Sequence, residues 1–375
     1  MTRKIRVGLL FGGRSGEHEV SLRSARAIQR ALNSSQYDVT LIGITKQGQW
    51  VIGPAAQAAL SGGGSLADLP TNSAEVILPG KPHAGELLYL TNPNTLPTVA
   101  AELDVIFPAL HGTFGEDGTL QGLLELADLP YVGAGVTASS VGMDKGVFKA
   151  VMQGAGLPVL PHQVVLRSTI ETNLTAVLTA AEHAFHYPVF TKPCNLGSSV
   201  GISKAENRAQ LAAGLQEAAR WDRRVLIEQG IPARELEISI LGNDQPIASI
   251  VGEIRPRRAF YDYVAKYISD DSELLIPAPI SPELAQIVQS YAIAAYKAID
   301  GSGLARVDFL LDRDRGELYI NEINTMPGFT EISMYPKLWE ASGIPFEELI
   351  NRLVALALER HSDRQRTERN FARTT

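Results

Sequence analysis

The chain has a single cysteine, Cys194, in 375 residues, which rules out an internal disulfide and points to a reducing compartment, the cytoplasm. No apolar run approaches the roughly 18 residues needed to cross a bilayer. The opening MTRKIRVGLLFGG leads straight into a strand-like run without a cleavable signal, so no membrane partner is expected. Basic residues are not in excess: 34 Lys and Arg face 41 Asp and Glu, and a net charge of −7 argues against a nucleic-acid partner, which wants a basic face. Two nucleotide-binding signatures are also missing. There is no G-x-x-x-x-G-K-[ST] loop, and no G-x-G-x-x-G follows a strand, which disfavours a nicotinamide dehydrogenase. No internal repeat is present. What remains is ordinary globular material, 45% hydrophobic and 20% charged, in a chain long enough for two or three domains.

The chain opens as a β-loop-α-β unit: an apolar run Ile5 to Phe11, then Gly12-Gly13, helical spacing over Ser21 to Leu32, and a strand at Val39 to Ile44. Trp50 to about Thr98 is rich in Gly, Pro, Ser and Ala with weak periodicity and reads as an insertion with little chemistry of its own. A buried parallel-type strand, Asp104 to Ala109, is followed by a helix at Thr119 to Leu126, and the first domain closes near 131–139. A second unit holds Lys145 on a helix, strands near Pro188 to Lys192 and Val200 to Ser203, a helix Ala205 to Ala219, and a strand Val225 to Glu228. A third, from Arg234, holds three strands, a long helix Ser281 to Ile299 and a strand pair. The expected boundaries are 1–138, 139–229 and 230–363. The polar, Arg-rich stretch from His361 to Thr375 reads as a solvated or frayed end, with 364–375 set apart as a tail.

The strand pair is the most informative stretch. Val307 to Leu311 and Leu318 to Ile323 are apolar runs that carry Asp308 on one, and Glu322 with Asn324 on or beside the other. Period-2 alternation turns Glu322 and Asn324 to one face, and Arg306 shares a face with Asp308. Three hard oxygen donors on neighbouring strands suit Mg²⁺ on nucleotide phosphates, while the polar outer face of a hairpin remains the plain alternative. The segment 324–328, NTMPG, then turns sharply and brings backbone N–H groups to the same spot.

Three loops add to this. KPCNLGSSVG, 192–201, joins two strand-like runs with small residues whose N–H groups can approach an anion beside Lys192, although a Gly/Ser hairpin turn gives the same pattern. GGRSGEHEVS, 12–21, lies between a strand and a helix, where Glu17 or Glu19 either meets a substrate ammonium or caps the helix. His111 in LHGTFGEDG occupies the same post-strand position in a later unit, which favours function over a core role. The polar stretch 252–277, with Tyr261, Asp262, Tyr263, Lys266 and Tyr267, has the length and composition of a lid, or of an exposed loop.

Together these blocks resemble the D-alanine–D-alanine ligase family of the ATP-grasp superfamily: FGGRSGEHEVS, ALHGTFGEDGTLQG, MDK, the KP and GSSVG loop, YDYVAKY, GLARVDFLL and NEINTMPG, in order from Gly12 to about Lys337. The resemblance implies an α/β, three-domain ATP-grasp fold, with a Rossmann-like parallel-sheet domain followed by two α+β domains that sandwich ATP. It implies ligation of two D-alanine molecules through an acyl phosphate for peptidoglycan precursors, two Mg²⁺ (or Mn²⁺) per site, and a cytoplasmic homodimer. By the same resemblance Lys145, Lys192, Ser198 and Ser199 meet phosphates. Glu228 and Phe260 lie near the adenine and Glu235 near the ribose, with Lys266, Asn321 and Glu322 also toward the nucleotide. Asp308, Glu322 and Asn324 hold the metals. Glu17, with His111 nearby, takes the first substrate's ammonium. Arg306 and the Gly328 amide form an oxyanion site, and Ser333 and Met334 receive the second substrate. Glu17, Ser198 and Tyr267 form a triad that closes the lid. Cys194-Asn195-Leu196 departs from members with charged residues in that loop. A D-alanine–D-lactate ligase is the nearest rival, and Tyr267, where those ligases typically carry histidine, favours the dipeptide. A non-catalytic nucleotide module would not need all three metal ligands.

Overall fold

A computed structural model describes residues 3–62, 66, 74–82, 85–90, 98–256, 272–330 and 332–368. The first sheet has the order β6-β5-β4-β3-β2-β1-β7. Its strands are β1 (Ile5–Gly12), β2 (Tyr37–Ile44), β3 (Trp50–Ile52), β4 (Ala74–Ile77), β5 (Glu86–Tyr89), β6 (Val99–Glu102) and β7 (Val105–Pro108), with helices α1 (His18–Ala31), α2 (Pro54–Leu60) and α3 (Thr119–Leu126). β1 pairs in parallel with β2 and β7, and as a central strand it is apolar along its buried length. The region read as an insertion of weak periodicity carries strands. β3, β4 and β5 extend this sheet antiparallel, and their short length, rather than absence of structure, had hidden the alternation.

Helices α4 (Val136–Met143) and α5 (Lys145–Gly154) lead to a four-stranded sheet, β10-β9-β11-β8. It is made of β8 (His162–Leu166), β9 (Val189–Pro193), β10 (Ser203–Ala205) and β11 (Arg224–Gln229), and is covered by α6 (Arg167–Ala184) and α7 (Arg208–Trp221). Helix α7 starts later than the periodicity indicates because Asn207 caps it, accepting the Gln210 N–H at 3.0 Å. The strand expected at Val200 begins only at Ser203, after a turn in which Ser198, Ser199 and Gly201 all have positive φ. The third sheet, β14-β13-β12-β15-β16, comprises β12 (Ala233–Leu241), β13 (Ile247–Pro256), β14 (Ser272–Leu275), β15 (Leu304–Asp312) and β16 (Leu318–Asn324). Helix α8 (Pro282–Ala298) packs on it, opened by the Ser281 cap and Pro282. The ends of the 252–277 segment are not loop: Gly252 to Pro256 and Ser272 to Leu275 form the β13–β14 pair, leaving 257–271 as the connection.

Helices α9 (Met334–Ala341) and α10 (Phe346–Arg364) finish the chain. Leu349, Ile350, Leu353 and Val354 of α10 share one core with Val7, Leu9, Phe11 and Phe107 of the first sheet. The tail is therefore helical at its start. His361 lies 3.3 Å from Asp128, Arg364 pairs with Glu125, and Arg360 stacks on the Tyr131 ring. The C-terminus thus clamps the first sheet to the third, on whose surface the functional residues sit.

Candidate functional site

One cavity of about 890 Å³ lies where the three sheets face each other, lined by the β1–α1 loop, α5, the 196–199 turn, β11, β12, β15, β16 and the turn after β16. Each wall is set by a local rule. Gly12 and Gly13, both at positive φ, turn the chain off β1 into the loop that delivers Glu17. Glu17 stands at the N-cap position of α1, but its side chain makes no cap bond; it accepts a short hydrogen bond from Ser198 Oγ instead. Of the two acids of that loop Glu17 lines the cavity, while Glu19 turns outward to Lys46 at 3.3 Å. Gly112, at φ 73°, suits glycine, and a Cβ there would stand 2.4 Å from Glu17 Oε2 and push that carboxylate aside.

The third sheet supplies a charged face by register. Glu237, Asp308 and Glu322 are successive cross-strand partners on β12, β15 and β16, and Arg306 pairs with Asn324 one step along. Arg306 bridges them: Nε and Nη2 donate to Asp308 at 2.7 and 2.6 Å, and Nε lies 3.0 Å from Glu237. Burial works against the guanidinium charge, but Asp308 and Glu237 outweigh it and hold its pKa well above normal. A bulge in β16 falls between the Glu322 and Ile320 pairings and leaves Asn321 as the extra residue. Neighbours on a plain strand face opposite ways, yet Asn321 and Glu322 both line the cavity.

The expected metal ligands are Asp308, Glu322 and Asn324. Both Asp308 oxygens are taken by Arg306, Asn324 Oδ1 accepts the Met326 N–H at 3.0 Å, and Glu322 has Lys145 at 3.7 Å. Among the described residues no preassembled cluster of three metal-ligating side chains exists. The donors are nevertheless all hard oxygens, and three carboxylates share the face with Arg306 and Lys145, a donor set that suits Mg²⁺ or Mn²⁺.

The phosphate-type loop lies opposite. Lys145 opens α5, which Asp144 caps, and its Nζ donates to the Leu196 carbonyl at 2.8 Å. Thus the uncharged Cys194-Asn195-Leu196 stretch contributes backbone to the site. Burial pushes the Cys194 thiol up to about 12, which leaves it unreactive. Ser198 and Ser199 hold left-handed φ values of 54° and 58°, and Gly201 is required where a Cβ would meet the Trp221 ring at 2.6 Å. Lys192, on β9, donates to Glu228 of β11 at 2.5 Å. Glu228 is also paired with Lys149. Despite its burial, the two lysines hold its carboxyl down to about 2. Glu235, Gly328, Ser333 and Met334 line the same cavity, with Ser333 bonded to Thr330 at 2.7 Å.

His111 differs from its expectation. It is 4% exposed, outside the cavity lining, and both ring nitrogens are engaged: Nδ1 with the Met326 carbonyl at 3.0 Å and Nε2 with Ser24 at 2.8 Å. Burial lowers its pKa, so the ring is the neutral tautomer that donates from Nδ1 and accepts at Nε2. It ties the turn carrying Gly328 to the first sheet. Phe260, Lys266 and Tyr267 lie outside the described residues. Three residues were missed by the sequence reading: Glu237, which only strand register brings to Arg306; Lys149, one helical turn after Lys145; and Glu116, five residues after His111.

Glu116 carries a pH prediction. Burial first, then the nearby Glu17 charge, raise its pKa well above the carboxylate range, and its Oε1 accepts the Gly112 N–H at 2.6 Å. The folded protein keeps this proton after the unfolded chain has lost it. Stability from this group is therefore full below the ordinary carboxyl range and is lost as pH rises toward the folded value, at about 1.4 kcal/mol per pH unit within that window. Glu116→Gln, neutral throughout, should gain on the parent protein as pH increases from 5 to 8 in ligand-free denaturant titrations. A constant difference across that range would mean that Glu116 is ionised in the fold.

Comparison with known proteins agrees with this layout. The family described as D-ala D-ala ligase N-terminus matches residues 6–134, and D-ala D-ala ligase C-terminus matches 151–355. A D-alanine–D-alanine ligase of Heliobacterium modesticaldum is 50% identical over 374 residues, covering 97% of this chain and 98% of that one. That of Natranaerobius thermophilus is 47% identical, covering 99% of each. Among solved structures, the D-alanine-D-alanine ligase from Coxiella burnetii is similar with a TM-score of 0.80 and 33% identity over 97% of both chains. The VanG D-Ala:D-Ser ligase from Enterococcus faecalis is similar with 0.83 and 33%, over 95% of this chain and all of that one.

Proposed function

Because this chain belongs to the D-alanine–D-alanine ligase family, matched in both halves and along nearly its full length, we propose how its cavity performs the reaction it catalyses, the ATP-dependent joining of two D-alanine molecules for cell-wall precursor synthesis. The observation that carries the assignment is the Ser198–Glu17 hydrogen bond, which brings the phosphate-type loop against the first-sheet loop in a cavity also lined by Lys145, Lys192 and Arg306.

A carboxylate is a poor electrophile, so it must be activated before an amine can attack it. Glu17 holds the ammonium of the first D-alanine and fixes its carboxylate toward the phosphates. That carboxylate attacks the γ-phosphorus, ADP leaves, and the resulting acyl phosphate is attacked by the amine of the second D-alanine with release of phosphate. Lys145, Lys192 and the turn holding Ser198 and Ser199 cradle the phosphates, while Glu228 and Glu235 face the adenine and ribose. Asp308, Glu322 and Asn324 would hold two Mg²⁺ or Mn²⁺, which neutralise phosphate charge when bound. For Asp308 this requires Arg306 to yield part of its contact. Arg306 and the Gly328 N–H then stabilise the oxyanion that forms as the second amine adds. Ser333, with Met334 beside it, receives the second substrate's carboxylate.

Phe260, Lys266 and Tyr267 are assigned to a lid that excludes water from the acyl phosphate, Tyr267 joining Glu17 and Ser198. The family resemblance is what supports a cytoplasmic homodimer. No described helix is long and apolar enough to cross a membrane. Phosphate release from ATP, measured with D-alanine alone and with D-serine, D-lactate or L-alanine as partner, tests the reading. Release should depend on D-alanine and yield D-alanyl-D-alanine. Preferential formation of a D-serine or D-lactate product would overturn the assignment of the second site.

A further inference from the structure

The least expected group beside the cavity is Lys149. It is 1% exposed, lies one helical turn beyond Lys145 on the same face of α5, and does not line the cavity. Its Nζ pairs with Glu228 Oε1, while Glu228 Oε2 takes Lys192 at 2.5 Å. Glu228 and Lys192 sit diagonally on paired strands, with Glu228 opposite Phe190 and Lys192 opposite Leu226, so register holds the carboxylate against the lysine that reaches the cavity. A buried ammonium with no contact to the cavity is costly to keep, and a hydrophobic side chain would fill its volume at less cost.

We propose that Lys149 is a positioning residue for nucleotide phosphate: by occupying one oxygen of Glu228 it leaves the Lys149–Glu228–Lys192 cluster with one positive charge in excess, and that charge appears at Lys192. A lone Lys192–Glu228 pair would be neutral and offer an incoming phosphate little attraction. With both oxygens of Glu228 engaged, Lys192 is instead held in a fixed direction with its charge uncompensated. This inference rests on the assignment of Lys192 to the phosphates. Burial draws the Lys149 ammonium toward neutrality and the Glu228 charge draws it back, so the two are retained only as a pair.

The test compares ATP and adenosine, which share the base and ribose but not the phosphates, by calorimetric titration of the full chain. The parent should prefer ATP strongly; without that preference the phosphate assignment itself fails, whatever Lys149 does. In Lys149→Met the preference for ATP over adenosine should fall roughly tenfold or more, with adenosine affinity little changed. The double variant Lys149→Met/Glu228→Gln removes both charges, restores the excess at Lys192, and should return most of the preference. Equal loss for both ligands, or a double variant as weak toward ATP as the single one, would overturn the proposal. If Lys149→Met does not fold, Glu228→Gln is compared with the double variant, since neither buries an unpaired carboxylate. There, because Lys149 acts through the Glu228 charge, the two variants should show a similar ATP preference, and a several-fold lower preference in the double variant overturns the proposal.

Discussion

Arg306→Met should lower the rate of D-alanyl-D-alanine formation by about 10²–10³, the usual cost of removing an oxyanion donor, and destabilise the fold by about 3–5 kcal/mol. The two losses have one source. Arg306 bridges Asp308 and Glu237, contacting them at 2.6 and 3.0 Å, and methionine leaves both carboxylates buried against each other without that bridge. The stability loss should shrink as pH falls, because protonation relieves that repulsion. Rate is measured by product formation at saturating substrates, and stability by denaturant titration at pH 7 and pH 5. A variant that unfolds earlier yet turns over within a few-fold of the parent would make Arg306 a structural bridge and remove it from the reaction.

The second large effect is expected of Glu322→Gln. The change is nearly isosteric and the side chain is partly exposed at the cavity, so the fold should be preserved by circular dichroism. It removes one of the two anionic donors of the set and should reduce turnover by about 10²–10⁴, a loss equivalent to several kcal/mol of phosphate-charge stabilisation. ATP binding should also need more Mg²⁺. The alternative is that Glu322 serves only to hold Lys145, 3.7 Å away. In that case Lys145→Met combined with Glu322→Gln would cost no more than Lys145→Met alone, and the Mg²⁺ requirement would not move.

Where the reading of the sequence succeeded, the signal was local. The β1 run, the helix Thr119–Leu126 and the β15–β16 hairpin were legible because burial and period-2 or 3.6 spacing are written within a few residues. Where it failed, the cause was distant or short-range and weak. Strands of three or four residues between 50 and 90 carry too few alternations to read. His111 was expected to face substrate because it follows a strand. Only the packing of the 326–329 turn reveals that both its nitrogens are already used.

By itself the sequence determined the order of the units, the residue types available to the site, and the chemistry those types permit: hard oxygens and an arginine on one hairpin, lysines near a small-residue turn, an acid after the first strand. The tertiary structure alone decided their partnerships. It chose Glu17 over Glu19, set Glu237 beside Arg306 by register, put Asn321 and Glu322 into one cavity through a bulge, and buried Lys149 behind Glu228. The physical reason is that a side chain's charge is fixed by its type, whereas its pairing depends on which strand lies alongside and which helix covers it. Those are set by contacts between residues far apart in the chain.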